Sequence, residues 1–188
     1  VAAKQALRAE IRDRRRNMSA HERDADTAAI TEHLKHLVAA RGVKKLSCYL
    51  ATPTEPETRP FLTWAYENNI EVLLPVTRDD GLLDWAIAND TPDENIGLFG
   101  LPEPTGELLG PIAINGVDLI IVPASAVDKK GVRMGWGRGY FDKTLGSMGK
   151  RPPVYAIVFD SEYVDSLPRE VHDQPVTGVV TPSALITF

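Results

Sequence analysis

The run Val117-Asp118-Leu119-Ile120-Ile121-Val122 is aliphatic at every position but one. No polar–apolar alternation survives in it, so it predicts a strand that meets water on neither face. Such strands belong to parallel sheets with helices packed on both sides. Downstream, a glycine-rich loop leads into a predicted helix over Tyr140–Met148, and Val154–Phe159 and Gly178–Thr181 read as further strands. Upstream, Leu46–Ala51 and Val72–Val76 are strand-length apolar runs with a helix around Thr58–Asn68 between them. Two prolines in Thr52-Pro53-Thr54-Glu55-Pro56-Glu57 end the first of these strands by removing ladder donors. Asp79-Asp80-Gly81 predicts a turn into an antiparallel element, Leu82–Ala88. The Pro- and Gly-rich stretch Asn89–Gly116 reads mostly as loop. At the N-terminus Leu7, Ile11 and Met18 make one helical stripe. Ser19 with Glu22 is a capping box that opens a second helix, from Ala20 to about Ala40 before Gly42. Strands alternating with helices predict an α/β three-layer sandwich around a mainly parallel sheet, in a single domain spanning 1–188.

Composition narrows the function. The 188 residues are 43% hydrophobic and 25% charged, as in a folded globular protein. No run approaches the ~20 apolar residues of a membrane span, and no signal-peptide pattern opens the chain. Lys and Arg number 21 against 26 Asp and Glu, a net charge of −5, which argues against a nucleic-acid partner. Cys48 is the single cysteine; it suits a reducing cytoplasm and reads as a small core residue. A cytoplasmic enzyme acting on a small molecule, with no membrane partner, is the expectation.

The stretch richest in chemistry is Arg133-Met134-Gly135-Trp136-Gly137-Arg138-Gly139-Tyr140-Phe141-Asp142. Alternate glycines let the backbone bend and bring N–H groups close to an anion, ahead of a predicted helix start. Arg133 and Arg138 bracket the loop with planar donor forks suited to phosphate oxygens. Asp142 stands where a carboxylate can hold magnesium against the same phosphates. Tyr140 replaces the last glycine of a dinucleotide-binding fingerprint, and Gly-Lys-Ser/Thr of a Walker loop is absent. Phosphate binding is therefore favoured over a plain flexible connector.

Lys4, Arg8, Arg12, Arg14, Arg15, Arg16 and Arg23 make the N-terminal segment basic. Taken alone the segment reads first as a solvated basic face; in the sharper alternative Lys4 and Arg8, one turn apart, reach a phosphate chain together. Glu55 and Glu57, rigidly placed after a strand, suit either ligand contacts at a strand end or an exposed acidic loop. His33 and His36 read as surface helix residues. His172-Asp173 reads as an ordinary turn that can supply a second magnesium carboxylate at Asp173. No Gly-x-Ser-x-Gly elbow supports serine hydrolase chemistry.

With these residues in place the chain resembles the 5-formyltetrahydrofolate cyclo-ligase (5,10-methenyltetrahydrofolate synthetase) family. The likeness runs through Lys4-Gln5-Ala6-Leu7-Arg8, Tyr49-Leu50-Ala51, Glu55-Pro56-Glu57-Thr58 and Leu74-Pro75-Val76. It continues in Phe99-Gly100-Leu101-Pro102-Glu103-Pro104, Asp118–Pro123, the loop from Arg133 to Asp142, and His172-Asp173-Gln174-Pro175. The resemblance implies a fold like ribose-phosphate isomerase and glucosamine-phosphate deaminase. It implies ATP and Mg2+ as cosubstrate and metal, and a reduced folate as substrate. By position, Lys4, Gln5, Ala6, Leu7 and Arg8 would hold ATP with Arg133, Met134, Gly135, Trp136, Gly137, Arg138, Gly139, Tyr140 and Phe141. Leu50, Glu55 and Trp136–Tyr140 would line the folate site, and Asp142 and Asp173 would serve Mg2+.

The implied reaction joins ATP to cyclisation of 5-formyltetrahydrofolate, giving 5,10-methenyltetrahydrofolate, ADP and phosphate. Arg138, Arg133 and Tyr140 are the expected catalytic residues in a monomer. Phe141 replaces a usual second tyrosine, Thr177 a common aspartate, and Trp136 a frequent arginine or tyrosine that would pair where tryptophan stacks. Ala124-Ser125-Ala126-Val127 replaces a run containing glycine and phenylalanine. The rival readings are a sugar-phosphate isomerase of the same superfold and a folate- or nucleotide-binding module without turnover.

Overall fold

The computed structural model describes residues 2–88, 94–96, 102–104 and 106–188. Two helices open the chain, α1 (Ala2–Arg16) and α2 (Ala20–Arg41). The Ser19 side chain accepts the Glu22 N–H at 3.1 Å, and Gly42, at φ +61°, closes α2 with N–H bonds to Val38 and Ala39. The capping box and the glycine stop therefore act where the sequence puts them. β1 (Lys45–Ser47), α3 (Arg59–Glu67), β2 (Glu71–Thr77) and β3 (Leu83–Ile87) follow. Next come the hairpin β4 (Glu94–Ile96) and β5 (Pro102–Pro104), the short β6 (Leu108–Leu109) and a 3-10 turn, Pro111–Gly116. The second half holds β7 (Leu119–Pro123), β8 (Ala126–Asp128), β9 (Arg133–Met134), α4 (Tyr140–Gly146) and β10 (Val154–Ile157). β11 (Tyr163–Val164), β12 (Gly178–Val180) and β13 (Leu185–Thr187) complete it.

The main sheet is mixed and eight-stranded, in the order β13-β12-β10-β7-β1-β2-β3-β6. The central strands β12, β10, β7, β1 and β2 are parallel, and β13, β3 and β6 are antiparallel at the edges. Successive residues alternate between two cores. Leu46, Val72, Leu74, Leu119, Ile121 and Ile157 pack under Ile30 and Leu34 of α2 and Phe61 of α3. Leu73, Ile120, Val122, Ala156 and Val179 face the other way, under Leu145 of α4 and Ile114. Helices thus cover both faces, as the unbroken apolar run at 117–122 predicts. Leu34 and Phe61 are fully buried, and each such side chain stabilises the fold by about 1.5–3 kcal/mol.

Three expectations need correction. The ladder of the first strand stops at Ser47 instead of Ala51, because side chains take the carbonyls beyond it. Thr58 Oγ1 donates to the Tyr49 carbonyl at 2.6 Å and Arg59 to the Ala51 carbonyl at 3.0 Å. Within 89–116 the described residues hold more than loop: β6 pairs with Trp85 and Ala86, and Glu103 ties β5 to Thr77. Phe99, Gly100 and Leu101 lie outside the described residues. A second sheet, β11-β8-β9, has strands too short to leave a periodic signal.

α1 packs on that small sheet: Ile11 sits with Ala126, Val132, Met134 and Leu167. Arg15, buried at the end of α1, donates to both Glu162 carboxylate oxygens at 2.8 Å and to the Ala124 carbonyl at 2.9 Å. From β1 the chain places β2 on one side and β7, β10 and β12 on the other. The carboxyl ends of β1 and β7 therefore diverge, leaving a crevice of the kind in which open α/β sheets bind ligands. Among the described residues, no helix is long and apolar enough to cross a membrane.

Candidate active site

A cleft of about 630 Å3 opens at that switch point, within the size range of small-molecule sites. Its floor is built from residues just past the parallel strands: Tyr49, Leu50 and Thr52 after β1, Pro75 and Thr77 in β2, and Pro123 at the end of β7. α1 forms one wall with Lys4, Gln5, Arg8 and Arg12. Residues four apart share a helix face, which is why Lys4, Arg8 and Arg12 all reach the cleft. Ala6 and Leu7 point elsewhere; neither lines the cleft, and Leu7 packs against the small core around Ile11.

Lys4 is buried, and its Nζ donates to Asp173 Oδ2 at 2.9 Å and approaches Glu170 Oε1 at 3.3 Å. Burial alone pushes the Asp173 carboxyl up, but the Glu170 N–H and the Lys4 ammonium outweigh it and hold the group below its ordinary value. Arg8 Nε donates to the Gly135 carbonyl at 2.8 Å, joining α1 to the glycine loop.

That loop, Gly135–Gly139, forms the opposite wall and leads into α4. Arg133 Nε donates to the Pro123 carbonyl at 2.7 Å, its guanidinium lies 5.5 Å from the Phe141 ring centroid, and Asp142 Oδ1 stands 3.8 Å away. Burial pulls its pKa below the usual arginine value, opposed chiefly by Asp142; the guanidinium remains charged. A Cβ on Gly135 would meet Arg133 Nη2 at 3.0 Å, so a larger residue there would press on the guanidinium. Gly137 and Gly139 hold φ of +94° and +77°, the left-handed region where other residues are strained. Arg138 is exposed on the loop crest and lines the cleft. The Tyr140 ring is buried and its Oη donates to the Arg78 carbonyl at 3.3 Å. Met134 does not line the cleft; it is buried beside Ile11 while its carbonyl accepts from Ser125.

The departures from the family pattern find local roles. Phe141 offers Arg133 a ring face that needs no hydroxyl. Trp136 lies beneath Arg12 and Arg15, at 5.3 and 5.2 Å from centroid to guanidinium carbon, and so stacks. Thr177 Oγ1 accepts the Val154 N–H at 2.9 Å, outside the cleft.

Glu55 and Leu50 both line the cleft, whereas Glu57 turns back to Arg59 at 2.8 Å. Burial raises the Glu55 pKa, countered by the Thr52 N–H bonded to its Oε1 at 2.9 Å. Beside it the Tyr49 hydroxyl is buried with no hydrogen-bond partner. Burial, then the charge of Glu55, pushes that phenol well above its usual pKa, so it stays a donor. Glu103, known from the sequence only as part of a longer motif, also reaches the cleft. Its Oε1 accepts from Thr77 N at 2.9 Å and Thr77 Oγ1 at 2.6 Å. Tyr49 and Glu103 stand in the sequence only inside longer motifs and Thr77 in none, whereas the four-residue spacing of Arg12 from Arg8 was available.

Asp142 and Asp173 line the same cleft, together with Glu170 and His172. Ligand atoms of Glu170, His172 and Asp173 lie within 4.8 Å of one another, and the Lys4 ammonium already sits against both of these carboxylates. Carboxylate oxygens that gather a cation suit hard Mg2+; the imidazole suits it less. Elsewhere His33 Nε2 donates to the Pro182 carbonyl at 3.2 Å, and Cys48 is buried.

Comparison with known proteins follows this geometry. The sequence profile of the 5-formyltetrahydrofolate cyclo-ligase family matches residues 1–182. A 5-formyltetrahydrofolate cyclo-ligase of Mycolicibacterium smegmatis is 34% identical over 187 residues, 96% of this chain and 94% of that protein. One from Haemophilus influenzae is 29% identical, covering 94% of this chain and 96% of its own. The solution structure of Aquifex aeolicus 5,10-methenyltetrahydrofolate synthetase superposes with a TM-score of 0.81 at 27% identity, over 98% of this chain and 92% of that one. The Mycoplasma pneumoniae 5,10-methenyltetrahydrofolate synthetase, at 19% identity and a TM-score of 0.75 over 94% and 97% of the two chains, shares the fold. Alike in sequence from end to end and alike in fold, the chain belongs to the 5-formyltetrahydrofolate cyclo-ligase family.

Proposed function

We propose that the chain catalyses the ATP-dependent cyclisation of 5-formyltetrahydrofolate to 5,10-methenyltetrahydrofolate, releasing ADP and phosphate. The observation that carries this reading is the convergence of two cationic elements, α1 and the 133–142 loop, on one cleft beside the metal-type carboxylates Asp142 and Asp173. A formamide oxygen is a poor leaving group, and phosphorylation makes it a good one. The formyl oxygen attacks the γ-phosphorus, and the bond to the ADP oxygen breaks. N10 of the folate then adds to the activated formyl carbon and gives up its proton to solvent, and the oxygen departs with phosphate.

Positioning and charge stabilisation dominate such transfers. Arg138, with Arg133 behind it, meets charge developing on the transferring phosphoryl group, while Lys4 and Arg8 hold the rest of the triphosphate. Tyr140 orients the formyl group, and Glu55 accepts hydrogen bonds from the pterin amino groups. Asp142 and Asp173 would hold Mg2+, which neutralises phosphate charge when bound. We read the fold as the ribose-phosphate isomerase-like superfold, which the parallel centre and its switch point support. We place the protein as a monomer in a reducing cytoplasm, where Cys48, its pKa pushed up to about 12 by burial, stays an unreactive thiol.

Mixing the protein with ATP, magnesium and 5-formyltetrahydrofolate tests the proposal directly. The methenyl product absorbs in the near ultraviolet, and its appearance should require all three components. A phosphosugar turnover without ATP, or folate binding with no product, would refute it.

A further inference from the structure

The cations of the cleft are not equally engaged. Lys4 rests on Asp173 and Glu170, Arg133 stands near Asp142, and Arg8 is bonded to the Gly135 carbonyl. Arg12 differs. It lines the cleft and is exposed, and among the described residues no carboxylate lies within ion-pair distance of it. Its side chain is nonetheless not loose, because the guanidinium lies 5.3 Å from the Trp136 ring centroid. Stacking of this kind fixes the plane of an arginine while leaving its N–H edge open.

Position along α1 adds a second constraint. Lys4, Arg8 and Arg12 form one row, and eight residues of helix carry Arg12 about 12 Å from Lys4. The Lys4 end of the row lies beside Asp173, where a metal-bound triphosphate belongs under the reading above. Arg12 lies a turn beyond Arg8, away from those carboxylates. A reduced folate carries neutral pterin and aminobenzoyl rings, and its negative charge is concentrated in the glutamate carboxylates at the far end. The remaining charge on the ligand and the remaining charge on the cleft are therefore complementary.

We propose that Arg12, whose guanidinium lies over the Trp136 ring, binds a glutamate carboxylate of the folate substrate and thereby selects for the charged tail. The inference rests on the folate reading and deepens it. A guanidinium edge meets a carboxylate with two parallel N–H donors, and Trp136 has already fixed that edge before binding. Arg15, against the same ring, is committed to Glu162 and takes no part.

The test measures equilibrium binding, without ATP, of two ligands: 5-formyltetrahydrofolate and its bis-amide, in which both tail carboxylates are neutral. The wild-type protein should prefer the carboxylate form by about tenfold, the scale of one charge-assisted hydrogen-bonded contact at a partly solvated site. That preference should shrink with added salt. Arg12→Gln should bind the two ligands alike and keep wild-type affinity for Mg-ATP; Arg12→Lys should retain part of the preference. Trp136→Leu, which frees the guanidinium, should narrow it. Equal binding of the two ligands by wild type, or an unchanged preference in Arg12→Gln, overturns the proposal. So does loss of Mg-ATP affinity in Arg12→Gln, which would move Arg12 to the triphosphate. Failure of wild type to bind either folate would instead overturn the folate reading itself, and this proposal with it.

Discussion

Replacing Arg15 by methionine removes three hydrogen bonds at once: two to Glu162, at 2.8 Å each, and one to the Ala124 carbonyl at 2.9 Å. Both partners of the ion pair are 1% exposed, so water cannot take the place of the lost guanidinium. Glu162 would keep only the Phe159 N–H, at 2.9 Å. Breaking a buried pair from one side costs about 3–5 kcal/mol. We expect the lower half of that range, since the surviving Phe159 contact still stabilises the carboxylate. For a chain of this length the melting temperature should fall by roughly 6–16 °C. Urea unfolding followed by tryptophan fluorescence measures the loss. Arg15→Met/Glu162→Leu should recover much of it, because Arg15 Nη1 has no partner even in the wild type and the pair is incompletely satisfied. The same helix carries Lys4 and Arg8, so Arg15→Met should also weaken Mg-ATP binding. A stability loss below about 1 kcal/mol, or a double variant no better than the single, would refute the claim that this pair anchors α1.

Four further outcomes are expected. Arg138→Ala should lower kcat by roughly 10²–10³-fold, the scale of one preorganised donor, with a smaller rise in the KM for ATP; wild-type kcat with raised KM would make Arg138 a ground-state binder. Gly137→Val should fold yet bind ATP poorly, because φ is +94° and the new side chain would enter the loop beside Arg8; normal nucleotide affinity would reduce the loop to a connector. Asp142→Ala should weaken magnesium-dependent nucleotide binding and spare folate affinity, and a calorimetric titration with unchanged Mg-ATP affinity would remove it from the metal site. Glu55 has a folded-state pKa raised by burial, so its stabilising contribution is present below the unfolded value of about 4.3 and is lost as pH rises through the folded one. Glu55→Gln should therefore gain stability relative to wild type between pH 4 and 7, and parallel pH profiles of the two proteins would contradict this.

The features legible in the sequence were those written in local chemistry. The Ser19–Glu22 box, the Gly42 stop and the apolar run at 117–122 each have one favourable outcome, and the chain adopts it. Lys4, Arg8 and the 133–142 loop were visible because cations and glycines at regular spacing are rare outside binding sites. Ladder lengths were less legible. Nothing near Tyr49 announces that Thr58 and Arg59 will take its neighbouring carbonyls and end β1. Arg15 reads as one more arginine in a basic helix, and only the fold brings Glu162 to it from 147 positions away. Tyr49 and Glu103 enter the cleft by the same route, through tertiary placement of ordinary-looking residues. Ala6, Leu7 and Met134 show the converse: a contiguous motif includes residues whose side chains serve packing.

The bonds that fasten α1 span 169 residues from Lys4 to Asp173, 147 from Arg15 to Glu162 and 127 from Arg8 to Gly135. During synthesis α1 emerges well before these partners and must wait for them. At ordinary translation rates the interval is roughly 10–30 s. Over that time the parallel strands β1 and β2 can pair with each other, but α1, one wall of the cleft, has nothing to close against. The two walls of the cleft are therefore brought together only after most of the chain is available. Loops this long are entropically slow to close. In the finished protein, release of α1 would break these three long-range ties together, so its amides should exchange as one unit.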